Sequence, residues 1–143
     1  MARIVFEIEI EAAPEKVVEA LDTEAGIAGW WTPTVTFPGG GVGSTMRPSF
    51  SMAPVPFELR VDQADGGCVR WASVGDFPPH WAGTEIIWTL APTEAGTRVH
   101  FSHAGWADDE GLFPNAALTW GSLMHSLKQY VETGVGAPLS GSS

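Results

Sequence analysis

The sequence predicts an α+β domain: a curved antiparallel sheet of about seven strands wrapped on one long C-terminal helix, in the order β, α, α, six β, α. Three observations predict it. Large apolar residues recur at Phe113, Ala116/Ala117, Trp120, Leu123/Met124, Leu127 and Tyr130/Val131, the 3.6-residue stripe of a helix lying on an apolar surface. Upstream of that helix, segments alternate apolar and polar with period two, as half-buried strands do. Hairpin-length turns separate those segments, which favours an antiparallel meander over βαβ units.

The first strand is Ile4 to Glu11, with Phe6, Ile8 and Ile10 on one face and Glu7, Glu9 and Glu11 on the other. Pro14 and Glu15 then suit the first turn of a helix ending at Leu21, which buries Val17, Val18 and Leu21. Asp22 or Thr23 caps a second short helix, from Glu24 to about Trp30. Strands are expected near Thr34–Phe37, Ser44–Met52, Val55–Asp62, Cys68–Val74, Thr84–Leu90 and Thr97–His103. Turns at Gly39-Gly40-Gly41, Asp65-Gly66-Gly67 and Glu94-Ala95-Gly96 punctuate them. On the last strand Val99, Phe101 and His103 share one face, and Arg98, His100 and Ser102 the other. Pro114 belongs in the first turn of the final helix, because inside a helix it costs about 3 kcal/mol. Gly134 is its C-cap, and Pro138 prevents continuation. Residues 1–134 form a single domain on this reading, and residues 135–143 a flexible tail.

Composition narrows the function classes. A net charge of −10 argues against nucleic acid and against an anionic membrane surface, both of which need clustered Lys and Arg. No apolar run approaches the ~20 residues of a membrane-spanning helix. Cys68 is the single cysteine, so no internal disulfide forms; with no cationic, apolar leader, a cytoplasmic protein is expected. No Cys/His pair has metal-ligand spacing, no phosphate-binding Gly-rich loop is present, and no cofactor is expected. Glu58 and Arg60 share a strand face and are expected to pair, and Asp108-Asp109-Glu110 is expected to favour the N-terminal end of the long helix.

Several motifs resemble the helix-grip superfamily of START and birch-pollen-allergen-like (Bet v 1-like, SRPBCC) domains, and within it the branch of the activator of heat-shock-protein-90 ATPase. They are Val18-Glu-Ala-Leu21 followed by Gly29-Trp30-Trp31-Thr32; Gly40-Gly41-Val42-Gly43 leading into a strand; Trp81-Ala-Gly-Thr-Glu-Ile-Ile-Trp88; and Gly96-Thr97-Arg98-Val99 running to His103-Ala104-Gly105-Trp106. The last is Trp120 followed by Leu123, Leu127-Lys128 and Glu132-Thr133-Gly134. The resemblance implies a helix-grip fold. It does not fix a function, because that superfamily hosts ligand carriers, cyclases, hydroxylase domains and chaperone activators. The eukaryotic co-chaperones that name the branch carry a second, N-terminal domain, for which this chain has no room.

Seven tryptophans in 143 residues are the strongest functional signal. The helix turns Trp120, Leu123, Met124 and Leu127 toward the sheet, where Trp71, Trp88 and Phe101 face them and Phe50 and Met52 line the wall. These rings either line a pocket for a small apolar or aromatic molecule or simply fill the core. The expected ligand-binding set is Trp31, Phe50, Met52, Trp71, Trp88, Phe101, His103, Trp106, Trp120 and Met124. Burying ~300 Å² of an apolar ligand gains roughly 7 kcal/mol gross, and association costs at least ~4 kcal/mol. Tight binding therefore needs a polar anchor. His103 is the candidate, as an orienting group or a general base; the alternative is a structural histidine bonded to a carbonyl or an indole. His100 and His125 are expected in solvent, and His80, in the Pro78–Trp81 loop, at a pocket mouth.

Three functions compete. The first is a non-enzymatic domain that holds a small hydrophobic ligand between sheet and helix, gated by the short helices and the Pro78–Trp81 loop. The second is a protein-interaction module of chaperone-activator type, carried by an exposed aromatic patch around Trp30, Trp31 and Trp81. The third is a cyclase- or hydrolase-like enzyme, which requires two inward polar groups within mutual reach, and no catalytic residue is assigned.

Overall fold

A computed structural model describes residues 2–38, 40–50 and 53–139. Strand β1 (Ala2–Ile10) leads into helices α1 (Pro14–Leu21) and α2 (Glu24–Trp30). The strands β2 (Val35–Thr36), β3 (Thr45–Pro48), β4 (Leu59–Asp65), β5 (Cys68–Ser73), β6 (Glu85–Pro92) and β7 (Thr97–Trp106) follow, and α3 (Phe113–Thr133) closes the order. A single 3₁₀ turn, Pro79–Trp81, interrupts the connection from β5 to β6. The sheet is antiparallel, in the order β1-β7-β6-β5-β4-β3-β2. It is the α+β, helix-grip arrangement that the alternating segments and the long amphipathic stripe predict.

Period-two alternation sets the register. Phe6 faces Phe101 and Ile8 faces Val99 across β1 and β7, while Glu7 and His100 meet on the outer face. Trp88 lies opposite Phe101, and Ile86 opposite both His103 and Trp71. The pairing shifts between Ala2 and Arg3 and between Val61 and Gln63. Such bulges bend a strand and increase its twist, and the bent sheet turns Val61, Val69, Trp71, Ile86, Trp88, Val99 and Phe101, none of them exposed, toward the helices.

Helix α3 covers that concave face with Trp120, Leu123, Met124 and Leu127, all buried. Pro114 sits in its first turn, and Gly134 ends it at φ 87°, a left-handed conformation that suits glycine. Thr23 rather than Asp22 caps α2, its Oγ1 accepting from Gly26 N–H at 3.0 Å. Beyond Gly134 the chain runs back over α2 and α3. There Leu139 N–H donates to the Trp31 carbonyl at 2.7 Å, and Ala137 N–H to Ser126 Oγ at 2.8 Å.

Three local expectations are corrected. β4 starts at Leu59 rather than Val55, because Pro54 and Pro56 have no N–H to give a ladder. Asp108-Asp109-Glu110 forms a turn of its own, with Asp108 accepting from Glu110 N–H at 2.9 Å, and the first turn of α3 holds no acidic residue. Glu58 pairs with Arg47 at 3.3 Å and Arg60 with Asp62 at 2.7 Å, not with each other.

Candidate functional site

The expected residues converge. β5, β6 and β7 supply Trp71, Trp88, Phe101 and His103 from one sheet face, α2 supplies Trp31 at its C-terminal end, and α3 supplies Trp120 and Met124. Trp120 is the hub. Its ring lies 4.7 Å from Phe101, 5.3 Å from Trp31, 6.1 Å from Trp88 and 6.2 Å from Trp81, centroid to centroid. Trp31 is nearly parallel to both Trp30 (16°) and Trp71 (3°), at 5.8 and 5.9 Å. These are the offset-stacked and edge-to-face separations that indoles favour, so the rings pack directly on one another. Phe50 is half-buried against Trp31 at 5.9 Å. Trp106 stands further along β7, between His103 and Phe113. Met52 lies outside the described residues.

His103 is fully buried and its two ring nitrogens are both engaged. The Trp120 indole N–H donates to Nδ1 at 3.1 Å. An indole only donates, so the imidazole proton resides on Nε2 and points to Thr84 Oγ1 at 2.9 Å. The Thr84 hydroxyl in turn donates to the Trp81 carbonyl at 2.6 Å. This relay ties α3 to β7, to β6 and to the 3₁₀ turn. Burial first, and the nearby His80 second, depress the His103 pKa to about 3. The ring is therefore neutral at ordinary pH. To act as a general base it would first have to give up the Trp120 N–H. The geometry matches the structural alternative, a histidine bonded to an indole.

Two tryptophans satisfy their indole donors: Trp120 on His103, and Trp30 on the Ala20 carbonyl at 2.8 Å. The buried indole N–H groups of Trp71, Trp88 and Trp106 have no hydrogen-bond partner among the described residues.

The aromatic set is larger than expected. Trp81 was placed in a gating loop, and Trp30, Trp31 and Trp81 in an exposed patch, yet all three are buried, with exposures of 0, 2 and 6%. The patch expected for a protein partner is thus turned inward: Trp30 and Trp31 end α2 against the sheet, and Trp81 packs on His103 at 4.6 Å. Phe57 and Thr84 were missed. Each precedes its strand, Phe57 by two residues and Thr84 by one, where strand alternation no longer fixes the direction of a side chain. Phe57 extends the set outward, touching Phe50, Trp81 and Phe77 at 4.9, 4.9 and 5.7 Å. At that end an open groove of about 260 Å³ is lined by Arg47, Val55, Pro56, Glu58, Asp76 and Phe77. His100 faces Glu7 at 3.5 Å on the outer surface, and His125 is exposed, as expected.

Residues 11–132 match the model of the family described as activator of Hsp90 ATPase homolog 1-like protein. The chain belongs to this family. Among solved structures, the solution structure of the Aha1 dimer from Colwellia psychrerythraea superposes with a TM-score of 0.82 at 33% identity, covering 95% of this chain and 100% of that one. A Staphylococcus saprophyticus protein (TM-score 0.75, 18% identity, 95% and 96% covered) and a Mesorhizobium loti protein (0.75, 22%, 90% and 95%) share the fold. No curated protein matches the chain. Among the described residues, no helix is long and apolar enough to cross a membrane.

Proposed function

We propose that this member of the activator of Hsp90 ATPase homolog 1-like family is a non-enzymatic domain that binds a small apolar or aromatic molecule between its sheet and its C-terminal helix. The carrying observation is an unbroken train of rings. It runs from Phe77 at the groove through Phe57, Phe50 and Trp31 to Trp120, with successive centroids 5.7, 4.9, 5.9 and 5.3 Å apart. A guest meets aromatic surface along this whole path. The groove marks its outer end. A volume of about 260 Å³ lies just under the usual range for small-molecule pockets, and the rings inside are in contact. The rings meet with no gap for a guest, and a guest enters by selecting conformers in which the 53–58 and 74–84 segments and the Trp31 ring draw apart. That selection lowers the apparent affinity in proportion to the open fraction, so micromolar binding is expected. His103 then serves the site indirectly, by fixing the position of Trp120.

The test is a titration with the neutral fluorophore N-phenyl-1-naphthylamine, following energy transfer from tryptophan. Saturation at one probe per chain, displaced by other apolar aromatics, supports the reading. Unchanged tryptophan emission up to the solubility of the probe sinks it. A protein partner is the second reading. The Colwellia relative is described as a dimer, and Leu112 and Leu118 are 54 and 75% exposed beside and on α3. Light scattering decides whether a second copy is that partner: a monomer at all concentrations excludes it.

A further inference from the structure

The sheet has two ends, and they differ in how well they are protected. β2, at one end, is two residues long, and short edge strands are a common defence against pairing with another chain. β1, at the other, is nine residues long, contains no proline and has a strand on one side alone among the described residues. The ladder fixes which groups it leaves open. In an antiparallel pair, the N–H and C=O of one residue point to the same side, and successive residues alternate. Thr93 and Gly96 exchange both backbone bonds at the β6–β7 hairpin, so Arg98, His100 and Ser102 face β6. Val99, Phe101 and His103 then face Ile8, Phe6 and Ile4 of β1. Arg3, Val5 and Glu7 are left with their N–H and C=O groups turned away from the sheet. Glu9 follows the same parity, and its outward carbonyl is taken by Lys128 Nζ at 2.6 Å.

The side chains of Arg3, Val5 and Glu7 are also exposed, Val5 by 42%. Arg3 has no ion pair among the described residues, and Glu7 has the imidazole of His100 at 3.5 Å. Their spacing is self-complementary. An antiparallel copy of β1 centred on Val5 sets Arg3 of each chain opposite Glu7 of the other, with Val5 opposite Val5. On the concave side it sets Ile4 opposite Phe6. Centring on Phe6 instead would put Val5 against Glu7, and centring on Glu7 would put that carboxylate against itself. Opposite charges facing each other across strands are favourable and like charges are not, so the first register wins. α3 adds apolar surface beside the edge. A Cβ on Gly121 would sit 3.3 Å from Phe6 Cζ, and Leu118, one turn earlier, is 75% exposed.

We infer that the open edge of β1 is the docking surface for a second copy of this chain, added antiparallel about a two-fold axis at Val5, so that the sheet of one molecule continues into the next. This rests on the reading above in which a second copy is the partner, and it is independent of the apolar guest.

The test is sedimentation equilibrium on the full chain, which gives the dissociation constant of the dimer. Arg3→Glu and Glu7→Arg should each weaken it about 10-fold or more, since each sets like charges across both symmetry-related pairs. The two substitutions together should restore it to within about 3-fold of wild type, because the pairs are re-formed with the charges exchanged. The single variants shift the net charge in opposite directions, so a general charge effect would move their dissociation constants apart rather than together. Amide hydrogen exchange supplies a second reading that needs no variant: the Val5 and Glu7 N–H groups should exchange more slowly as the protein concentration passes through the dissociation constant. Loss in the single variants without rescue in the double overturns the Arg3–Glu7 register. A dimer that neither single variant weakens, with Val5 and Glu7 amides unprotected, overturns the edge and leaves a second copy docked elsewhere. A wild-type chain that stays monomeric at all concentrations overturns both the inference and the reading it rests on.

Discussion

At the scale of single residues, the account turns on His103 as a fastener. Trp120→Phe keeps the ring and removes the N–H, leaving His103 Nδ1 buried without a donor. The expected cost is about 1–3 kcal/mol, read from urea unfolding. Thr84→Val breaks the other half of the relay at similar cost, and the double variant should fall short of the sum, because the two bonds belong to one ring. Strict additivity would mean that the relay is not a unit. The pH dependence has a definite sign. The pKa is about 3 in the folded chain against an ordinary 6.5, so between those values the unfolded chain binds the extra proton. Stability is full above about pH 6.5 and declines as acid is added, at up to about 1.4 kcal/mol per pH unit from this group. The difference between wild type and His103→Gln isolates it from the carboxylates; a difference that does not change with pH across 4.5 to 7.5 contradicts the assignment. The residues of the interior were legible in the sequence because period-two alternation fixes which side chains share a face, as Val99, Phe101 and His103 do. The partners of His103 were not. Which nitrogen meets which donor depends on how α3 docks, and no local pattern encodes that.

At the scale of elements, helices and long strands were readable and short strands less so. α1, α2 and α3 carry apolar spacing, a Pro near the start, or a capping Thr or Gly, so their ends are written locally. The 53–58 stretch is not, since Pro54 and Pro56 interrupt the alternation that would otherwise extend a strand. Trp81 was read as a loop residue at a gate because its neighbours Pro78 and Pro79 signal a turn, yet the turn folds the indole inward. The contact of α1 with α2 gives a sharp element-level prediction. A Cβ on Gly26 would sit 2.6 Å from the Ala20 carbonyl oxygen, the same oxygen that accepts the Trp30 indole N–H. The obstacle is backbone, so Gly26→Ala should force the helices apart and cost about 1–3 kcal/mol, despite the better helix propensity of alanine. A stabilised variant would mean that the helices are packed less closely than described. Lys128 and Glu132 of α3 reach the β1 end of the sheet, Lys128 Nζ donating to the Glu9 carbonyl at 2.6 Å and Glu132 accepting from Glu11 N–H at 2.8 Å. That backbone bond first, and the lysine second, hold the Glu132 carboxyl below its ordinary pKa, so the stitch loosens only in acid.

At the scale of the whole molecule, the domain joins a closed aromatic interior to an open groove at one end. The interior is well determined by packing, and a guest competes with contacts that the rings already make. Binding should therefore raise thermal stability in step with ligand concentration, by RT ln(1 + [L]/Kd), about 2.7 kcal/mol at one hundred times Kd. The fold was legible from the sequence because every element agrees with one arrangement, a bent sheet gripping one helix. Openness was not, since the same tryptophans build a filled core or a lined pocket, and the difference lies in how the rings are placed rather than in residue type.

The most direct measurement is an isotope-filtered NOE experiment on ¹³C,¹⁵N-labelled protein saturated with unlabelled N-phenyl-1-naphthylamine. The account predicts cross-peaks from probe protons to Trp31, Phe50, Trp71 and Trp120, in the space between sheet and helix. Cross-peaks confined to Val55, Pro56 and Phe77, or none at all, would contradict it.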